Sequence, residues 1–419
     1  MRSTAIIALS IGLLAGTASW VVPQGRSHGA RPAPNLSDQR VTGAYDVVRD
    51  WPKPLSARPG HEGWTWGATQ GVFAQHPDRV FVIQRGELPE LRPAVTPQTV
   101  TADIGTRGPV LLTVPVVRQF ARNASVDPTG SPGEPHVRRE GIEGRDFRWE
   151  HLVNVFDRDG NLVESWTQWD KLIGRPHKIR ISPYDAEKRV WLIDDWNHAI
   201  YVFSNDGKQL LQTIGTRGEK GEDAAHFGRA TDIAWLPDGT FFVSDGYENT
   251  RVVKFDKHGR FLTAWGHPGE AGTETRPNYF HTVHGIAIDN ERRVYVVDRT
   301  NRRIQIFDEN GRFLDAWYLG DISSTYDILM TADQHLWTSD GHSNYKIYKY
   351  ALDGRMLYHF GGWGVEPGQL WGVHQMSVDQ EGNLYVAEVN SGRVQKFRPR
   401  ADADLAALVG QPVRVAWRD

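Results

Sequence analysis

Short apolar runs separated by polar turns recur along the chain in a fixed order. The blocks "GVFAQHPDRVFVIQ" (71–84), "KIRISPYDAEKRVWLID" (178–194), "DIAWLPDGTFFVSD" (232–245), "GIAIDNERRVYVVD" (285–298), "DILMTADQHLWTSD" (327–340) and "QMSVDQEGNLYVAE" (375–388) each read as a strand, a turn and a second strand. Five end on an acidic residue, and the first ends on Gln84. Most continue into two further strands joined by a D-x-x-G turn, as in "NTRVVKFDKHGRFLTAWG" (249–266) and "NRRIQIFDENGRFLDAW" (301–317). Four strands per unit at spacings near 42–54 residues describe propeller blades. The pattern predicts an all-β, six-bladed β-propeller of the NHL-repeat type. The sixth unit ends at "VNSGRVQKF" without an outer strand, so an N-terminal strand or the tail 412–419 must close the ring.

One interval breaks the rhythm. Between Gln84 and His151 lie about 65 residues where a turn belongs, so blade one carries a long insertion, about 88–148. It is either a surface excursion or a lid over one mouth of the channel. The propeller is expected over 61–419, preceded by an extended Pro/Gly-rich segment over 19–60. Residues 1–18, with Arg2, an apolar run and small residues at Gly16 and Ala18, read as a signal peptide, and no later stretch is long enough to span a membrane. The expected location is therefore secreted or periplasmic.

Composition narrows the reading. Glycine is abundant at 42 residues and tryptophan at 16, and hydrophobic residues make up 39%. The formal charge of −3, with no basic run, excludes an evident nucleic-acid partner. There is no cysteine, so the core alone holds the fold.

The residue just before each block is Gln70, His177, Thr231, His284, Tyr326 and His374. Histidine occupies this slot in the even blades only. First strands line a propeller's channel, and alternate blades of six stand about 120° apart, so three imidazoles converge on one axial point. Such a site suits catalytic zinc with one open position, although imidazole also suits iron, copper or nickel. The alternative is that the histidines merely line the channel. Tyr247, in the turn "SDGYEN", and Arg85, after the second strand of blade one, face the same mouth in this reading. Arg85 is placed to hold a carboxylate bidentately or to pair with a neighbouring aspartate. In blade five, His342 takes the tyrosine's place.

"GRATDIAWLPDGTFFVSDGYENTRVVKF" and "FHTVHGIAIDNERRVYVVDRTNRRIQIF" resemble the peptidyl-α-hydroxyglycine α-amidating lyases over roughly 65–85 and 150–398. The resemblance implies a six-bladed propeller with catalytic zinc on His177, His284 and His374, and with Tyr247 and Arg85 in the active site. It implies cleavage of a carbinolamide N–C bond to an amide and glyoxylate. The family's methionine two residues before the third histidine is Gly372 here. Its calcium-ligand aspartate directly after that histidine is Gln375, which puts the family's structural calcium in doubt.

Three functions fit. The leading one is a metal-dependent lyase on a small molecule or peptide bearing a hydroxyl and a carboxylate. Tyr247 then serves as general base, and Arg85 activates Tyr247 or binds the carboxylate. The others are a lactonase-like metal-dependent hydrolase and a non-catalytic NHL binding scaffold.

Overall fold

The computed structural model describes residues 41–90, 143–145, 147–320 and 324–410, together with the backbone of 97–103 and 109–115. Six four-stranded antiparallel sheets form the blades. Blade two is typical: Pro176–Ile181, Val190–Asp194, Ala199–Phe203 and Leu210–Ile214 pair in sequence order. Blades three, four and five repeat it, starting at Ala230–Trp235, Val283–Ile288 and Thr325–Met330. The middle strands are buried on both faces and read as unbroken apolar runs such as "VWLID" and "VYVVD". Outer strands are half-exposed, as Phe261–Trp265 is.

Blade one is interrupted after its second strand. Thr69–His76 pairs with Arg79–Gln84, which pairs next with Val153–Phe156, so the insertion leaves and re-enters between adjacent strands. Within it, 97–103 and 109–115 form a hairpin, and most of the rest lies outside the described residues, as does the question of a lid.

Blade six is completed by the N-terminal strand Tyr45–Val48, which pairs antiparallel with Arg393–Pro399. The segment expected to run extended over 19–60 therefore supplies a strand and core residues of its own, Tyr45, Trp51 and Leu55. The propeller begins at Tyr45 rather than at 61. The tail 412–419 and the signal-peptide reading of 1–18 lie outside the described residues.

Four tryptophans and four turn glycines pair between neighbouring blades. An indole at the end of the outer strand of one blade lies on the hairpin-turn glycine of the next. Trp166 packs on Gly207, Trp265 on Gly311 and Trp317 on Gly354, and Trp51 packs on Gly160 across the ring closure. Each of these glycines has positive φ, from +68° to +84°. Position and conformation both demand a residue without Cβ.

Candidate metal centre and active site

Every blade carries a β-bulge in its first strand, and the bulged residue is the slot residue. The ladder skips Gln70, His177, Thr231, His284, Tyr326 and His374 in turn. A bulge leaves one residue out of the pairing and re-aims its side chain. In the even blades it turns an imidazole toward the axis. In the odd blades it leaves a carbonyl that the preceding blade's imidazole takes. His177 Nδ1 donates to Thr231 O at 2.8 Å, His284 Nδ1 to Tyr326 O at 2.8 Å and His374 Nδ1 to Gln70 O at 2.7 Å. Even and odd blades thus have separate duties, one presenting the ring and the next fixing its tautomer.

With Nδ1 protonated, each Nε2 keeps its lone pair. The three histidines offer ligand atoms within 4.8 Å of one another, and all three are buried. Burial first, then the charges of Lys178 and Arg85, holds His177 well below the usual histidine range. Burial and Arg299 do so for His284, and burial, His177 and Lys178 for His374. Three neutral, tautomer-locked imidazoles fit a transition metal such as zinc.

Tyr247 and Arg85 lie near them. The Tyr247 hydroxyl lies 3.1 Å from His177 Nε2 and 3.0 Å from His284 Nε2, against the lone pairs a metal would use. Arg85 is buried, and its charge reaches both His177 and His374. His342 is exposed and its turn is held by Asp340, so blade five contributes no counterpart to Tyr247.

Sequence reasoning missed a cationic rim. The Arg229 and Arg299 guanidiniums lie 4.7 Å and 5.3 Å from the Tyr247 ring centroid. Arg299 also stands 5.0 Å from the Tyr326 ring, which lies 5.3 Å from the His284 ring. Asp195, buried, anchors both Arg175 and Arg229. The available signal was positional: Arg299 follows the second strand of blade four as Arg85 follows that of blade one, on opposite sides of the ring.

The layer beneath the histidines does not fit a hard cation. The Gln375 amide donates to Ile179 O at 2.6 Å and accepts from Ile179 N at 3.3 Å. Beside it, the buried Lys178 ammonium bonds Asp327 and the His374 carbonyl. Arg180 spans Asp232 and Asp327. Gln375 is a neutral amide, and both carboxylates of this layer, Asp232 and Asp327, are already paired with Lys178 and Arg180.

The NHL-repeat family model matches residues 280–307. The protein is a six-bladed β-propeller with an NHL repeat matched in blade four. Over part of its length it is similar to proteins named as peptidyl-α-hydroxyglycine α-amidating lyases. Lyase 1 of Drosophila melanogaster is 29% identical over 255 residues, covering 56% of this chain and 46% of that protein. The peptidylglycine α-amidating monooxygenase of Rattus norvegicus is 36% identical over 135 residues, 32% of this chain and 13% of its own length. NHL repeat-containing protein 3 of Homo sapiens is 32% identical over 174 residues, 39% of this chain and 48% of its own. The chain thus spans less than half the length of each of these relatives.

Proposed function

We propose that the protein is a metal-dependent carbon–nitrogen lyase. Its substrate carries a hydroxyl and a carboxylate on the carbon bonded to an amide nitrogen, and its products are the amide and glyoxylate. The observation that carries the reading is the Tyr247 hydroxyl, poised 3.0–3.1 Å from two of three converging Nε2 atoms. Relatives named as amidating lyases support the same class.

His177, His284 and His374 would hold a metal, which would supply Lewis acidity toward a substrate hydroxyl. Tyr247, acting as general base, takes the hydroxyl proton. The electron pair left on oxygen forms the carbonyl as the C–N bond breaks. The nitrogen leaves with the C–N pair and receives the proton back from Tyr247, so no other reactant is consumed. Arg85 holds the carboxylate and orients the carbon. The proposal includes export, on the strength of the apolar run before residue 18.

The test is glyoxylate release from an α-hydroxyhippurate-like compound by metal-replete protein. Release that disappears with the metal in His284→Ala supports the lyase. No glyoxylate, with ring-opened acid formed from a lactone, replaces it with the hydrolase. Neither product, together with no bound metal, leaves an NHL scaffold.

A further inference from the structure

Four potential ligands gather at the root of the blade-one insertion. They are His61 from the N-terminal segment, Glu87 where the insertion leaves, and Glu150 and His151 where it returns. Their ligand atoms lie within 4.8 Å of one another. The backbone brings them together. Glu87 and Arg148 exchange both backbone hydrogen bonds, at 2.8 and 3.0 Å, and Trp64–Trp66 pairs with Glu87–Pro89. The Arg148 guanidinium lies 4.0 Å from the Trp64 ring and donates to Gly60 O.

The Glu87 carboxylate is fully buried. His61 Nδ1 stands 3.0 Å from its Oε2 and His151 Nδ1 2.8 Å from its Oε1. The second contact is short yet not aligned as a hydrogen bond, so Glu87 Oε1 and His151 Nδ1 are both buried acceptor or donor atoms without a hydrogen-bond partner. Such groups cost free energy unless something shared satisfies them. The two imidazoles have the spacing of a ligand pair: ring centroids 5.2 Å apart at 71°, the same values as His177 and His284. The competing account is an ion network, with Arg148 3.6 Å from Glu87 and 3.8 Å from Glu150. In that network Glu87 Oε1 and His151 Nδ1 form an ion pair at 2.8 Å, and a cation bound by His61, Glu87 and His151 would replace it.

We propose that His61, Glu87 and His151, with Glu150 at the rim, form a second divalent-metal site, of the kind that takes imidazole and carboxylate ligands together, as zinc does. It ties both ends of the 88–148 insertion to the N-terminal segment. It also fixes the chain two residues beyond Arg85. The site does not depend on the lyase reading.

Elemental analysis of full-length protein, purified without added metal and then reconstituted with zinc alone and desalted, tests it. The wild type is expected to hold two equivalents. His61→Ala, whose side chain is partly exposed, and Glu87→Gln should each hold one, and His284→Ala should lose the other one independently. Circular dichroism confirms that each variant is folded, and His151→Ala replaces Glu87→Gln if that variant is not. One wild-type equivalent that vanishes entirely in His284→Ala overturns the second site. So do two equivalents retained in folded His61→Ala and His151→Ala. A loss in His61→Ala with none in His284→Ala keeps this site and removes the three-histidine centre instead.

Discussion

Gly246 packs directly against the carbonyl of Val283, and a Cβ built on Gly246 would overlap that oxygen. Each of the two residues precedes a site residue, Gly246 before Tyr247 and Val283 before His284. The contact therefore sets how closely the phenol of blade three approaches the imidazole of blade four. Gly246→Ala should force the two strands apart, costing about 1–3 kcal/mol of stability. A lower melting temperature and a loss of turnover in the folded fraction are expected. Wild-type values of both would show that the blades absorb the methyl group without moving the site.

Tyr247→Phe removes the hydroxyl and leaves the ring between Arg229 and Arg299. Metal content should stay at the wild-type level and substrate binding should persist. The rate should fall about 10²–10⁴-fold, the usual contribution of a general base. Single-turnover glyoxylate release is the measurement, and an unchanged rate would take Tyr247 out of the chemistry.

Arg85→Ala should act on binding. Charged hydrogen bonds are worth about 1.5–3 kcal/mol, so KM for carboxylate-bearing substrates should rise about tenfold to a hundredfold. A carboxamide analogue should lose little between the two proteins. An equal loss for both substrates would assign Arg85 to positioning the histidines.

Asp245, at the root of the Tyr247 turn, is buried and accepts from Gly228 N, Asn249 Nδ2 and Arg251 Nε. Burial pushes its carboxyl up from 3.8 to about 6, against the opposing pull of Arg251. A native pKa above the unfolded one means that the folded state holds the proton more tightly. Its contribution favours folding below about pH 4 and is lost as pH rises through about 6, roughly 3 kcal/mol in all. Relative to Asp245→Asn, the wild type should therefore lose stability between pH 4.5 and pH 7. Urea midpoints of both proteins at the two values measure it, and a difference that grows in favour of the wild type at pH 7 would contradict the sign.

Trp51 closes the ring from the N-terminal side. Its ring lies 4.9 Å from Tyr385 and 6.0 Å from Phe156, and its Nε1 donates to Asp157 O at 3.0 Å. Trp51→Ala should cost about 3–5 kcal/mol, as other buried aromatic truncations do. Thermal melts should show a large drop, and a shift of a degree or less would mean that Tyr45–Val48 holds the closure unaided.

The repeat made most of the fold legible. Strand periodicity, D-x-x-G turns and the alternation of histidine at one slot lie in the local sequence, and the structure brings His177, His284, His374 and Tyr247 to one point. The bulge that aims each slot residue was not legible, because nothing in "RPHKI" or "TVHGI" distinguishes a bulged residue from a paired one. The carbonyl partners were hidden for the same reason, since a backbone acceptor has no sequence signature. Arg229 and Arg299 were readable only by aligning positions outside the strands. The N-terminal strand "YDVV" was too short and too far from its partner to be chosen over the tail.

The pairing of Tyr45–Val48 with Arg393–Pro399 joins segments about 350 residues apart. Until that strand lands, Arg393–Pro399 is an open sheet edge, with a row of unpaired amides and carbonyls that another chain can use. A second molecule's N-terminal strand satisfies it as well as the chain's own, which makes strand exchange between copies the natural misassembly. Clipping near residue 50 would turn a self-sealed ring into an adhesive one. The hazard of this architecture thus lies in the strand Tyr45–Val48, far along the chain from the three histidines.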